Sequence, residues 1–501
     1  MKYIGYAVNY SISKEFALQD YSELKRFATI CVKKGKYEEA IKFIITASKI
    51  AYHLNFRLGD DELEGLIKII SNSVIKPTPY NTTKNRIIFY DSFGLDNRGL
   101  TQQYLNAFSR WDVEFLYILA GKTDAASGIL ADLSQYDNGS LLVLDTNEIT
   151  CQEIYEKVTE FGAEKIFIHI SPFSVKDMVA LSAIEKAEKY LVDLTDHAYW
   201  LGKVCSDYFI GFRDYGAHIS TYFRNIPPSK QIKQTFYPIL SESVFLGFDV
   251  DVSGKKVIFT GGAYYKMYGK SKFFLEIIKR ICLENPKVLV FIAGNGNSKP
   301  IIEFLKREQL STQVYLIGSR KDIGAVFEHI DIYLNTFPIM GGLMSQLAVK
   351  SSKPLIGYSS PNLPCNIAEG FFISTNDVKI TYSDLEAFHH EINVLVSNEL
   401  YYEKVVEKLR GAVISEDTFS SELLLKVETK NNINSPQKDI GFDLEEFSTL
   451  YFEMENDYLQ KYHQIKLSSI KFLYLRYSPK RFFVSLFWAL KSKFIDKFSR
   501  H

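Results

Sequence analysis

Apolar and polar positions follow two rhythms along this chain of 501 residues. Over residues 21–34, 37–54 and 61–71, apolar side chains return every three or four positions. That spacing lines one face of a helix, so the segment predicts three amphipathic helices and no strand. A Pro- and Thr-rich connector follows at 76–85. From Arg86 the pattern changes to short unbroken apolar runs, at 87–90, 115–120, 141–145, 165–170 and 190–194, separated by helical spacing at 100–109, 149–161 and 175–187. Such runs, bounded by turn residues, read as strands buried on both faces, and their alternation with helices predicts a parallel sheet. A Pro-Pro turn at 227–228 opens a crossing segment that reaches residue 253, after which the rhythm restarts. Strand-like runs at 256–260, 288–292, 314–317, 331–336 and 355–358 alternate with helical stretches at 271–283, 300–308 and 323–330 and with one that opens at Gly341-Gly342. Helical spacing resumes at 384–409, a polar loop fills 426–438, and helices return from Phe442. The prediction is an α/β chain with two parallel-sheet domains, at 86–240 and 254–430, behind a helical cap at 1–80 and ahead of returning helices and a tail at 440–501.

Ligands of open parallel sheets gather at the carboxyl ends of the strands, so the candidate chemistry lies just past each run. After the run at 331–336 the chain passes through Phe337 and Pro338 to Gly341-Gly342. Two glycines between a strand and a helix start let a ligand approach the backbone and leave amides free, which suits a diphosphate; the same pair also serves as a tight turn without a ligand. In the first domain the informative ends are 92–99, Ser171-Pro172 and 193–197. Asp196 and His197 stand together there. A histidine at a strand end suits a general base for an acceptor hydroxyl, with a carboxylate orienting its ring. The bland alternative has Asp196 cap a helix with His197 packed beside it. His169, inside an apolar run, reads as a core histidine. Arg213 and Arg224 suit phosphates, or surface pairs with Asp207 and Asp214. Asp249-Val250-Asp251 imitates a metal-binding triplet, but three residues in a Gly-flanked turn are a weak signal, and no metal is predicted.

Charge and cysteine content narrow the class. Lys plus Arg number 59 and Asp plus Glu number 59, so no overall field draws the chain to nucleic acid. The five cysteines, at 31, 151, 205, 282 and 365, have neither CxxC nor metal-ligand spacing, which fits core residues of a reducing compartment. No apolar run reaches the ~20 residues that span a bilayer, and the N-terminal segment lacks the apolar core of a signal peptide. A cytoplasmic protein is expected. The tail differs in kind: beyond Lys466, Lys471, Arg476, Lys480, Arg481, Lys491, Lys493, Lys497 and Arg500 stand against Asp496 alone, interleaved with Phe472, Phe482, Phe483, Phe487 and Trp488. That composition describes an interfacial helix on an anionic membrane surface, and the same amphipathicity also suits docking on the chain's own domain.

Two resemblances add to this reading. Lys34-Gly35-Lys36 followed by Tyr37-Glu38-Glu39-Ala40 resembles the middle of a tetratricopeptide unit, though only one unit is visible. The block from Asp331 to Pro354, with Asn335-Thr336-Phe337-Pro338 leading into Gly341-Gly342, resembles the donor half of GT-B glycosyltransferases, nearest to the O-GlcNAc-transferase-like and bacterial surface-polysaccharide group. The resemblance implies two Rossmann-like domains and no cofactor beyond a nucleotide-sugar donor held between them. By it, the amides of Gly342, Leu343 and Met344 would hold the diphosphate, and Asn335 shapes that loop. Gly261-Gly262 forms the first phosphate-facing loop, Lys266 stabilises the leaving charge with Lys270 as second candidate, and the region of Ser319 and Arg320 meets the base. Where many such enzymes place a ribose-gripping carboxylate this chain has Leu347, with Gln346 as the adjacent substitute. The implied activity is metal-independent transfer, with inversion, to a glycan or lipid-linked acceptor in surface polysaccharide assembly, at the inner face of the cell membrane. The alternatives are a protein O- or N-glycosyltransferase and a catalytically silent scaffold for a partner glycosyltransferase.

Overall fold

Ser13 accepts the amide of Phe16 and so opens α1 (Lys14–Lys33). Gly35, at φ +68 with open space around it, makes the left-handed turn into α2 (Tyr37–Leu54). Asp60 then caps α3 (Asp61–Val74) through the amides of Glu62 and Leu63. Ala28, Ala40, Ala47 and Ala51 are fully buried in this cap, consistent with helices that cross closely. The computed structural model describes residues 12–498 other than 96–98, 122, 147, 194, 240–242, 431–435 and 437–439.

The first sheet is wholly parallel and has seven strands: β1 (Thr83–Asp91), β2 (Glu114–Leu119), β3 (Gly139–Val143), β4 (Ala163–His169), β5 (Glu188–Val192), β6 (Tyr208–Gly211) and β7 (Gln231–Lys233), in the order β3-β2-β1-β4-β5-β6-β7. Between them run α4 (Leu100–Ser109), α5 (Ser127–Leu133), α6 (Cys151–Glu160), α7 (Val175–Leu181) and α8 (Asp214–Phe223). Strand alternation divides the interior. Ile88 and Tyr90 join the core shared with the helical cap, whereas Ile87 and Phe89 join an aromatic core on the opposite face with Tyr104, Phe108 and Phe167. The sequence pattern did not mark β6 and β7; β7 is Gln-Ile-Lys, with a polar residue on each side of its one apolar position.

The second sheet is also parallel, with β8 (Lys256–Gly261), β9 (Val288–Ala293), β10 (Val314–Gly318), β11 (Ile332–Leu334), β12 (Leu355–Tyr358) and β13 (Thr381–Tyr382) in the order β10-β9-β8-β11-β12-β13. Its helices are α9 (Gly269–Glu284), α10 (Lys299–Arg307), α11 (Ile323–Glu328), α12 (Gly342–Lys350), α13 (Leu385–Ser397) and α14 (Glu399–Leu409). In each sheet the order reverses beside the first strand, which marks a switch point where ligand crevices form.

The return to the first domain begins earlier than Phe442. Helix α15 (Glu416–Thr429) already packs on α4: Trp111 Nε1 donates to Ser420 Oγ at 3.1 Å, and Phe419 meets Tyr104 edge-on at 5.5 Å. Then α16 (Leu444–Met454) lies against both α9 and α2, and α17 (Asn456–Tyr477) and α18 (Pro479–Phe498) form a hairpin on the helical cap. The hairpin's inner face is held by Asp20, fully buried, which accepts from Lys466 Nζ at 2.5 Å, Arg481 Nη1 at 2.6 Å and Tyr462 OH at 2.8 Å. Among the described residues, no helix is long and apolar enough to cross a membrane.

Candidate active site

The strand ends of the second sheet close into one rim. Gly294, at φ +153, is pressed against the β8 loop: a Cβ there would lie 2.0 Å from Gly262 O and 2.9 Å from Tyr264 Cε1, so only glycine fits. Its amide donates to Gly318 O at 2.8 Å, and Ser319 Oγ donates to Gly294 O at 3.4 Å, which ties in the end of β10. Tyr333 OH donates to Gly261 O at 3.5 Å and sits 3.5 Å from where a Cβ on Gly341 would be, joining the β8 loop to the loop after β11. The stem of Lys266, on a single turn of 3-10 helix, passes beside Gly262. Lys270 lies in the first turn of α9.

The loop into α12 is built by side chains. Asn335, almost completely buried, accepts the amides of Thr336 and Gly341, each at 3.0 Å. Asn366 accepts Met340 N at 3.0 Å and donates to Pro338 O at 2.7 Å, across a cis Phe337-Pro338 bond. The N-cap of α12 is Gly341, which has no side chain to cap the helix. The amides of Gly342, Leu343 and Met344 are therefore left at the positive end of a helix beside the rim. Gly341's own amide is already used by Asn335.

Several polar side chains near these loops are engaged elsewhere. Gln346 is fully buried and its Nε2 donates to Phe236 O at 2.7 Å and Phe371 O at 2.8 Å, fastening the interdomain crossing to the second domain; it is not a surface group facing a ribose. Leu347 is a core residue. Arg320 makes a two-pronged pair with Asp322, at 2.8 and 2.6 Å, and donates to Gly247 O at 2.9 Å, so its guanidinium holds the crossing segment. Asp251 accepts Ser253 N at 2.9 Å within its own turn.

Across the junction, the loop after β5 presents His197, partly exposed, with Nδ1 3.3 Å from Asp196 Oδ1. Asp196 is buried and bound in a fork by Arg213, Nε to Oδ2 at 2.6 Å and Nη2 to Oδ1 at 3.0 Å. Burial alone pushes the Asp196 carboxyl up, but the charge of Arg213 and the hydrogen bonds from His197 and Arg213 overcome it and hold the group well below the usual carboxylate range. An ionised Asp196 fixes the proton of His197 on Nδ1 and leaves Nε2 as the basic nitrogen.

Arg213 and Arg224 both lie elsewhere than the sequence suggested, and Arg213 is the more telling. It is buried, not at the surface, and its Nη1 donates to Cys365 O in the second domain at 2.8 Å while its plane lies 4.4 Å from the Phe371 ring. Phe371 in turn covers Gly342: a Cβ there would be 2.3 Å from Phe371 Cε1. One chain of contacts thus links His197, Asp196, Arg213, Phe371 and the start of α12. Arg224 is buried too, paired with Asp193 at 2.8 Å, bound to the carbonyls of Thr195 and Ala198, and set 4.6 Å from the ring of Trp200, so it braces the same loop from below. His169 is a core residue, stacked on Phe93 at 4.6 Å and 3.0 Å from Asp91.

Two parallel α/β domains with their strand ends at a common junction define the GT-B fold. No protein-family model matches the chain, and no curated protein matches it. Solved structures do. A glycosyltransferase from Rickettsia africae is similar with TM-score 0.52 and 12% identity, over 70% of this chain and 100% of that one. HepE of Anabaena, solved in complex with UDP and glucose, is similar with TM-score 0.51 and 12% identity, over 69% of this chain and 99% of that one. An O-GlcNAc transferase mutant of Thermobaculum terrenum aligns over 88% of this chain and 85% of its own, at 15% identity and TM-score 0.48.

Proposed function

We propose that this chain is a metal-independent glycosyltransferase that moves a sugar from a nucleoside diphosphate donor to a glycan or lipid-linked acceptor in surface polysaccharide assembly, with inversion. The observation that carries the reading is the uncapped N-terminus of α12, whose three unclaimed amides lie beside the Gly261-Gly262 loop and Lys266. A helix end without a capping side chain calls for an acceptor from outside, and a diphosphate is that acceptor. In the proposed reaction, His197 Nε2 takes the proton of an acceptor hydroxyl as its oxygen bonds to the anomeric carbon. The bond from that carbon to the diphosphate oxygen breaks, and the departing charge is held by the α12 amides and Lys266. HepE, whose structure holds UDP and glucose, supports a uridine nucleotide as the first donor to test.

One observation favours a silent scaffold instead: Gln346 and Leu347 are both buried, so neither grips a ribose. A thermal-shift series with uridine, guanosine, thymidine and cytidine diphosphates, with and without Mg²⁺, separates the two. An enzyme gains about 2.7 kcal/mol at ~100 times the dissociation constant of its nucleotide, without metal, and Lys266→Ala diminishes the gain. No shift with any of the four supports the scaffold.

A further inference from the structure

The α17–α18 hairpin has two unlike faces. The inner one carries Lys466 and Arg481 to Asp20, and Tyr477 OH to Glu39 at 2.6 Å. The outer one is apolar and aromatic: Phe472, Phe483, Val484, Phe487 and Leu490 are exposed, Phe472 at 77% and Phe487 at 60%. On α18 they fall at positions 483, 484, 487 and 490, a spacing that keeps them on one side of the helix. Lys471 breaks α17 with φ 40 and ψ −133, and directly after that break Phe472 stands out from the helix beside Phe482, centroids 6.3 Å apart.

Charge decides what suits this face. Between Asp457 and Asp496 the sequence has no carboxylate at all. Of its cations, Lys466, Arg476 and Arg481 pair with carboxylates of the cap. Lys471 and Lys480 are exposed beside the aromatic residues, and Lys491 lies 4.6 Å over the ring of Trp488. A second copy of this face would set lysine against lysine, whereas a protein core would have no use for the cationic border. Exposed phenylalanines bordered by lysines and free of acids match a layer of apolar chains beneath anionic headgroups.

We propose that the outer face of the α17–α18 hairpin docks on an anionic lipid bilayer, with Phe472, Phe483 and Phe487 entering the acyl boundary and Lys471, Lys480 and Lys491 at the phosphates. This rests on the hairpin alone and not on the transferase reading, so the test contains no sugar nucleotide. The full chain is sedimented with vesicles of phosphatidylcholine, or of phosphatidylcholine with phosphatidylglycerol, alongside two variants: Phe483→Ser with Phe487→Ser, and Lys480→Glu with Lys491→Glu. The wild type is expected to bind the anionic vesicles and not the neutral ones, and each pair to lower the bound fraction about tenfold. Melting temperatures are expected to hold, because the substituted side chains pack mainly outward, and either pair alone suffices for the test. Absence of binding to anionic vesicles, or binding that both pairs leave intact, overturns the proposal. A solution dimer abolished by the phenylalanine pair, without vesicle binding, overturns it in favour of a second copy.

Discussion

Asp196 shows how one carboxylate engages two neighbours at once. It orients His197 on one side and neutralises the buried Arg213 on the other. Asp196→Asn leaves that guanidinium buried without a counter-charge, for an expected loss of about 3–5 kcal/mol in urea unfolding. The pH sign follows from the lowered pKa: the folded state keeps the carboxylate ionised where the unfolded chain has begun to protonate it. Its contribution is therefore fully present above the unfolded value of about 4 and is lost as pH falls towards the depressed folded value. The stability difference between wild type and Asp196→Asn should be flat from neutral pH to mildly acidic pH and then shrink. A difference that instead grows on acidification would show that Asp196 is not held ionised by Arg213. His197→Ala, by contrast, should leave folding and nucleotide affinity nearly intact and lower turnover by about 10²–10⁴-fold, the usual range for a lost general base.

At the scale of the element, α12 shows that two adjacent glycines are glycine for different reasons. Gly341 has nothing closer than 3.5 Å to a built Cβ and an ordinary φ of −103, so Gly341→Ala should cost little. Gly342 lies under the Phe371 ring, where a Cβ would approach to 2.3 Å. Gly342→Ala should destabilise the fold by about 1–3 kcal/mol, as overpacking does, and adding Phe371→Leu should recover part of it. Equal losses at both positions by differential scanning fluorimetry would contradict this account. The pair was legible in the sequence as a strand-to-helix turn; which glycine is crowded was not, because Phe371 is 29 residues away in sequence. The parallel sheets were legible because most of their strands are unbroken apolar runs. β7, Gln-Ile-Lys, and β13, Thr-Tyr, escaped because neither is an unbroken apolar run. The Asp196-His197 pair was legible because the two are adjacent, whereas Arg213 binds Cys365 O from 152 residues away, a distance at which spacing says nothing. Gln346 was misjudged for the opposite reason: a polar side chain near a glycine loop looks available until the carbonyls of Phe236 and Phe371 are seen to claim it.

For the whole molecule, the first and last helices depend on each other, and Asp20 is where that dependence concentrates. Its carboxylate is fully buried among Lys466, Arg481, Tyr462 and Tyr474, and Lys466 is just as inaccessible. Burial lowers the Lys466 pKa while the charge of Asp20 opposes that shift, so the ammonium depends on its partner. Asp20→Asn removes the partner and keeps the shape, which should cost about 3–5 kcal/mol for the stranded cation. The loss should be local at first. Amide exchange should accelerate across residues 458–490 and in α1, while β8 and β9 keep their protection, since the hairpin belongs to the core of the cap and not to that of the second sheet. Adding Lys466→Met removes the stranded charge and should restore most of the protection, because a buried pair exchanged for apolar groups of similar volume is often neutral. If Asp20→Asn instead opened both sheets together, the chain would unfold as one unit. If it changed nothing, the hairpin would be held by its aromatic contacts alone, with Phe27 and Phe43 packed around Tyr477 as the place to look next.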